Sequence, residues 1–291
     1  MSCMLEVSKI GQVINPAQAR HVAGKRNDEK AGQMQVAILC GGLGTRIREE
    51  TELKPKPMVE IGHKPILWHI MRSYSHFGHH DFVLCTGYKS DVIKQFFLNY
   101  RNHSQDIEID LKAATVTNLG TTEELLPWKI RIQNAGVQTL TGSRLKRAIK
   151  YIDDDIFLAT YGDGVCDVDI NAVIEHHRTN GKLATVVAVR PSSRFGELAL
   201  DGDVVSSFSE KPQTGSGWIN GGFFVFSKSI FEGLSDADDI TLEDGVLQQL
   251  SEAGQLSVYR HAGYWQCMDT QREMNLLEEY WQSGKAPWKT W

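Results

Sequence analysis

The sequence predicts an α/β fold, a mixed and mainly parallel central sheet flanked by helices and carrying inserted antiparallel strands. Three observations lead there. Short apolar runs, beginning with Val36-Ala37-Ile38-Leu39, alternate with stretches of helical period through the first half of the chain. Alternating apolar and polar residues interrupt that rhythm between Asp106 and Gln138. Further on, Asp201-Gly202-Asp203 separates two apolar segments and marks a hairpin.

Residues 1–33 mix charged and polar side chains without a regular buried face, and are read as an N-terminal extension to one domain spanning 34–291. That domain opens with a strand over Gln35–Leu39, a helix over Ile66–Phe77, a strand over Asp81–Cys85 and a helix over Ser90–Tyr100. This is the βαβ order of a parallel sheet. Ile107, Ile109 and Leu111, then Trp128, Ile130 and Ile132, predict two strands outside the crossover pattern. A helix over Gly142–Tyr151, a strand over Ile156–Thr160, a helix over Ile170–Thr179 and a strand over Leu183–Val189 resume the sheet. Glu197–Leu200 and Val204–Phe208 flank the hairpin turn, strands follow at Phe223–Phe226 and Leu256–Tyr259, and a helix over Thr270–Trp281 closes the chain. The sum is a Rossmann-like α/β arrangement.

Composition narrows the function. With 41% hydrophobic and 23% charged residues among 291, the chain has the material for a core. A net charge of -5 gives no general attraction to nucleic acid or an anionic membrane, so neither is expected as a partner and any anionic ligand must be caught locally. The five cysteines are scattered without CxxC spacing, which argues against a disulfide framework or a zinc site and predicts a cytoplasmic setting. No apolar run approaches the roughly 20 residues of a membrane span, and no signal-peptide core is present.

The first strand runs into Cys40-Gly41-Gly42-Leu43-Gly44-Thr45-Arg46, where glycines let backbone N–H groups approach an anion and Arg46 adds a fork of donors. The loop lacks the GK[ST] ending of a Walker loop and the spacing of a dinucleotide fingerprint. A plain strand-to-helix turn is the alternative. In Lys54-Pro55-Lys56-Pro57 each proline biases the lysine before it toward extended backbone, so both amines are expected on one side of a stiff segment; an exposed turn explains the same residues.

Asp163 follows a buried strand, where open α/β sheets bind ligands, although Asp-Gly is also an ordinary turn. Asp269 precedes Thr270-Gln271-Arg272-Glu273 and suits either a ligand or a helix N-cap. His76, His79 and His80 lack fixed acidic or cysteine partners and are read as a solvated turn without function.

Gly41-Gly42-Leu43-Gly44-Thr45-Arg46 followed by Pro55-Lys56-Pro57 resembles the signature of the nucleoside-diphosphate-sugar pyrophosphorylases. The resemblance continues through Met58–Gly62, Lys64–Ile70, Tyr161-Gly162-Asp163-Gly164, Ile219–Phe224 and Gly284–Trp291, and it looks specifically like the branch that joins CTP to glucose 1-phosphate. It implies CTP and glucose 1-phosphate as substrates, Mg2+ as cofactor, self-association into a homo-oligomer, and a place in making nucleotide sugars for surface polysaccharide.

The same resemblance implies a nucleotide site at Leu39, Cys40, Gly41, Gly42, Gly44, Thr45, Arg46, Lys56, Gly142, Arg144 and Gly162. Asp163 and Asp269 are implied to share one metal, whose preference for oxygen ligands suits two carboxylates plus phosphate oxygens. Glu210 and Lys211 are implied to hold the sugar 1-phosphate, with Asn220 and Gly221 on the sugar; on propensity alone these are turn and hairpin residues. Many relatives that use uridine or thymidine nucleotides carry small residues where this chain has Arg144. A guanidinium donates to cytosine O2 and N3 but opposes the N3–H of uracil, so Arg144 is expected to favour CTP, with a basic helix start as its other reading.

A sugar-phosphate oxygen is already a good nucleophile, so the implied reaction needs positioning and charge neutralisation rather than a general base. Arg46 is expected to steady pyrophosphate, Lys56 to span the α-phosphate and the incoming phosphate, and Lys211 to anchor the sugar phosphate. The rival readings are a related enzyme using UTP or dTTP, a silent nucleotide-sugar sensor and an NAD-dependent oxidoreductase. The last lacks its glycine spacing.

Overall fold

A computed structural model of the chain describes residues 32–42, 44, 51–121, 125–191, 197–201, 204–209, 217–237 and 239–291. Its centre is a seven-stranded sheet. β1 (Gln35–Cys40) is buried at every position and pairs in parallel with β4 (Asp81–Thr86) on one side and β8 (Ile156–Tyr161) on the other. A strand buried on both faces has no polar face to alternate with, which is why its sequence reads as a continuous apolar run. Beyond β8 lie β13 (Ile219–Ser227), β10 (Ala184–Val189) and β14 (Leu256–His261), and beyond β4 lies β7 (Lys129–Asn134). Only β13 runs against its neighbours, so the sheet is mixed and mainly parallel, as the sequence predicts.

Helices cover both faces. One core packs α1 (Ile66–His76) and α5 (Ile170–Asn180) against Val36, Ile38, Phe82 and Leu158. The other packs α4 (Thr141–Ala148) against Ala37, Leu39, Phe157 and Phe226. α2 (Ser90–Leu98) and α3 (Tyr100–Ser104) divide the single helix expected over Ser90–Tyr100.

Several expectations are corrected. The segment containing Trp128, Ile130 and Ile132 is not an insertion: β7 is the parallel edge strand of the main sheet, and its alternation reflects one exposed face. Ile107–Asp110 (β5) does lie apart, but pairs with Thr115–Asn118 (β6), a polar exposed strand with no apolar period. The expected hairpin forms its own sheet from β11 (Glu197–Asp201) and β12 (Val204–Ser209). Lys56 is not extended: Lys56–Met58 is a 3-10 turn closed by Met58 N–H donating to Pro55 O (2.8 Å). His79 is not solvated; it is fully buried and its Nδ1 accepts the Met34 N–H at 3.0 Å. Among the described residues no helix is long and apolar enough to cross a membrane.

Candidate active site

Four chain segments meet at the carboxyl end of β1. Gly162 continues β8 and its N–H donates to Leu39 O (3.1 Å); a Cβ there would stand 2.9 Å from that oxygen, so only glycine lets the two strand ends touch. Leu39 and Cys40, the last residues of β1, are buried. Burial pushes the Cys40 thiol well up, so it stays protonated and inert. Thr51 Oγ1 donates to Gly44 O at 2.9 Å. Thr45 and Arg46 lie outside the described residues.

Lys56 is the residue on which the site converges. Its Nζ lies 2.6 Å from Oδ2 of Asp163 and bonds Oδ1 of Asp269 as well, partners 107 and 213 residues further along the chain. Burial pulls the lysine pKa down, but the two carboxylates, Asp163 foremost, outweigh it and the net shift is upward. The ammonium is therefore a fixed cation.

The two acids are held together by a strand pair too short to show a period. β9 (Gly164–Cys166) pairs antiparallel with β15 (Trp265–Cys267), and Met268 N–H donates to Asp163 O at 2.9 Å. At the far end of this pair Asp167 Oδ1 accepts from His261 Nε2 (2.7 Å) and Tyr264 N–H (2.8 Å), closing the turn between β14 and β15. Asp269 is not the cap of the final helix, α8 (Gln271–Gln282). Thr270 caps it through a reciprocal box with Glu273, and this leaves the Asp269 carboxylate for the site. Two hard oxygen ligands already gathered around one cation, the Lys56 ammonium, fit a divalent metal such as Mg2+.

Beside this centre opens a cleft of about 290 Å³ lined by Tyr161, Asp163, Asn220, Gly221, Trp265 and Asp269, among others. Asn220 Oδ1 accepts the Gly222 N–H at 2.8 Å, and Trp265 Nε1 donates to Gly221 O at 2.7 Å. Cys267 also lines the cleft; burial and the neighbouring acids push its thiol up to about 12. Trp265 and Cys267 escape sequence reasoning because their three-residue strand carries no pattern, whereas Tyr161 stands in a quoted motif without an assigned role. Glu210 and Lys211 lie outside the described residues.

Arg144 faces inward. It is 4% exposed, Nη1 donating to Thr86 O (3.1 Å) and Nη2 to Val137 O (3.2 Å). Its guanidinium rests on the glycine loop so closely that a Cβ on Gly41 would stand 1.6 Å from Nη1. The basic helix start is thus not a solvated face. Gly142, two residues earlier on α4, packs against the backbone of Ile240 and Thr241.

Residues 35–281 match the family model described as nucleotidyl transferase. A glucose-1-phosphate cytidylyltransferase of Salmonella typhi is 48% identical over 259 residues, which is 89% of this chain and 100% of that protein. A probable glucose-1-phosphate cytidylyltransferase of Bacillus subtilis is 41% identical over 89% of this chain and 100% of its own length. Among solved structures, HddC from Yersinia pseudotuberculosis complexed with GMP-PN superposes with a TM-score of 0.62 at 25% identity, over 85% of this chain and 99% of that one. The inositol-1-phosphate CTP transferase from T. maritima shares the fold, with a TM-score of 0.60 at 16% identity over 88% of this chain and 96% of that one. A family match across the whole of the seven-stranded sheet, and identity sustained over the full length of two relatives, place the chain in the nucleotidyl transferase family.

Proposed function

We propose that this chain transfers a cytidylyl group from CTP to α-D-glucose 1-phosphate, forming CDP-glucose and releasing pyrophosphate. The observation that carries this reading is Lys56 held between Asp163 and Asp269 at the edge of an open cleft, a cation and two metal-suited acids where a nucleotide loop ends. The Salmonella and Bacillus relatives, alike over their whole length, support the choice of both substrates.

In this mechanism an oxygen of the sugar phosphate attacks the α-phosphorus of CTP. A new P–O bond forms as the bond to the departing pyrophosphate breaks. Lys56 exchanges its carboxylate partners for phosphate oxygens and neutralises charge between the α-phosphate and the incoming phosphate. Asp163 and Asp269 would hold Mg2+, which when bound supplies charge neutralisation on the phosphates. Arg46 steadies pyrophosphate, Lys211 anchors the sugar phosphate, and Glu210, Asn220 and Gly221 take the sugar.

Arg144 serves as the base reader. Two of its donors are bonded to carbonyls, and among the described residues no carboxylate pairs with it. A desolvated guanidinium with donors to spare, lying against Gly41, suits the acceptor edge of cytosine. Ile109, Leu111 and Val116, exposed on the β5–β6 hairpin, supply a face for self-association, checked by sedimentation equilibrium.

The deciding experiment offers CTP, UTP or dTTP against glucose 1-phosphate and other hexose 1-phosphates, with and without Mg2+, and follows pyrophosphate. Release confined to CTP, glucose 1-phosphate and Mg2+ is expected. Release with UTP or dTTP instead of CTP would overturn the nucleotide, and none with any pair would leave a sensor.

A further inference from the structure

One carboxylate joins a wall of the cleft to the start of α4, a separate segment of the chain. Glu243 lies in a π-helical turn, Leu242–Leu247, a geometry that recurs at functional sites. Its Oε1 accepts the phenol proton of Tyr161, at the end of β8. Its Oε2 accepts from Thr141 Oγ1, the first residue of α4, at 3.0 Å.

On the Thr141 side, α4 and the π-turn form one body. Leu242 N–H donates to Thr141 Oγ1 (2.8 Å), Ser143 N–H to Ile240 O (3.0 Å) and Ile240 N–H to Ser143 Oγ (3.1 Å). A Cβ on Gly142 would stand 2.8 Å from Thr241 O, so the two backbones are in contact. This body carries Arg144. On the other side, Tyr161 walls the cleft and its ring lies on Gly222, where a Cβ would meet Cδ2 at 2.4 Å. Two residues after Tyr161 stands Asp163.

We infer that Glu243 is a positioning residue that couples the two substrates, linking the sugar side of the cleft through Tyr161 to the base side through Thr141. A sugar phosphate that packs on Tyr161 fixes the ring. The ring fixes Glu243, and Glu243 holds the start of α4 where the base is read. Ordering completed by one substrate need not be repeated for the other, so each raises affinity for its partner. The inference rests on the proposed assignment of CTP and glucose 1-phosphate to this cleft.

The test is calorimetric binding of a CTP analogue with a methylene between the α and β phosphorus, which cannot release pyrophosphate, with and without glucose 1-phosphate. In the unaltered protein glucose 1-phosphate should tighten the analogue by about fivefold or more. Glu243→Ala should reduce that factor to near one and raise both KM values while largely sparing kcat. Glu243→Gln, which keeps one acceptor, should retain part of the coupling. Tyr161→Phe removes the same bond without touching the π-turn, so it decides the matter if Glu243→Ala does not fold. In the double variant the two losses should not add. Absence of coupling in the unaltered protein, or full coupling in Tyr161→Phe and Glu243→Ala, overturns the inference while pyrophosphate release from CTP and glucose 1-phosphate stands. Absence of that release overturns the substrate assignment and the inference together.

Discussion

Nζ of Lys56 stands 2.6 Å from Oδ2 of Asp163 and bonds the Asp269 carboxylate too, so an ammonium occupies the point on which both acids converge. On the proposed function, that ammonium and a divalent metal would compete for the same oxygens without substrate, and nucleotide phosphates would relieve the competition by offering the lysine other partners.

It follows that Lys56→Met should bind Mn2+ more tightly than the unaltered protein when no nucleotide is present, by about tenfold or more, since a full positive charge is removed from beside the site. Pyrophosphate release should fall by about a hundredfold or more in the same variant. Calorimetric titration with Mn2+ reads the first effect and a coupled pyrophosphate assay the second. Unchanged Mn2+ affinity would show that the acids and the lysine do not share a site.

Arg144 and Gly41 are two sides of one contact, and their substitutions should fail differently. Arg144→Ala removes donors from the base side, and the preference for CTP over UTP should fall by about tenfold or more. Gly41→Ala keeps the guanidinium but places a methyl 1.6 Å from where Nη1 lies, so the loop or the side chain must move, and affinity for CTP should drop more than the preference among nucleotides does. An Arg144→Ala enzyme that discriminates as before would remove Arg144 from base reading.

What the sequence makes legible follows from the physics of each element. β1 and β8 are buried on both faces and show it in uninterrupted apolar runs, so the sheet and its carboxyl-end loops can be placed from residues alone. The Thr270–Glu273 capping box is equally local, and weighing it against Asp269 would have freed that acid for the site beforehand. By contrast, Lys56 meets Asp163 and Asp269 only because two three-residue strands pair across the chain, and so short a strand carries no period. Resemblance brought the two acids together where pattern could not. The inward aim of Arg144 is likewise invisible: a basic, weakly apolar helix start reads as solvated until Gly41 is seen to leave room for it.

His69, His79 and His177 are buried and their pKa values are lowered from 6.5 to about 4, burial being the leading cause for each. Well above pH 6.5 they are neutral in folded and unfolded chains alike and contribute no pH dependence. As pH falls from 6.5 toward 4 the unfolded chain takes up protons the folded one refuses, so stability declines, by about 1.4 kcal/mol per pH unit for each fully affected group. Melting temperature should therefore drop between pH 6.5 and 5, above the range where most carboxylates titrate. His177→Asn, which keeps a polar group near Thr185 Oγ1, should flatten the decline; an identical slope would exclude His177 as a contributor.

Trp288 links that acid sensitivity to the C-terminal cover. It is 1% exposed, stacks on Tyr264 and Trp281 at centroid distances of 5.8 and 6.5 Å, and donates from Nε1 to His69 Nδ1 at 3.5 Å. Because His69 Nε2 lies 2.8 Å from Ile61 O, the neutral ring satisfies both neighbours with one donor and one acceptor. A protonated ring would oppose the indole N–H. Trp288→Ala should cost about 3–5 kcal/mol in urea denaturation at pH 7.5 by emptying that layer. It should also let water reach His69, raise its pKa toward the ordinary value and so shrink the stability lost between pH 6.5 and 5. A variant that is destabilised yet loses stability with acid as steeply as before would mean that burial elsewhere around His69, and not the indole, keeps the ring neutral.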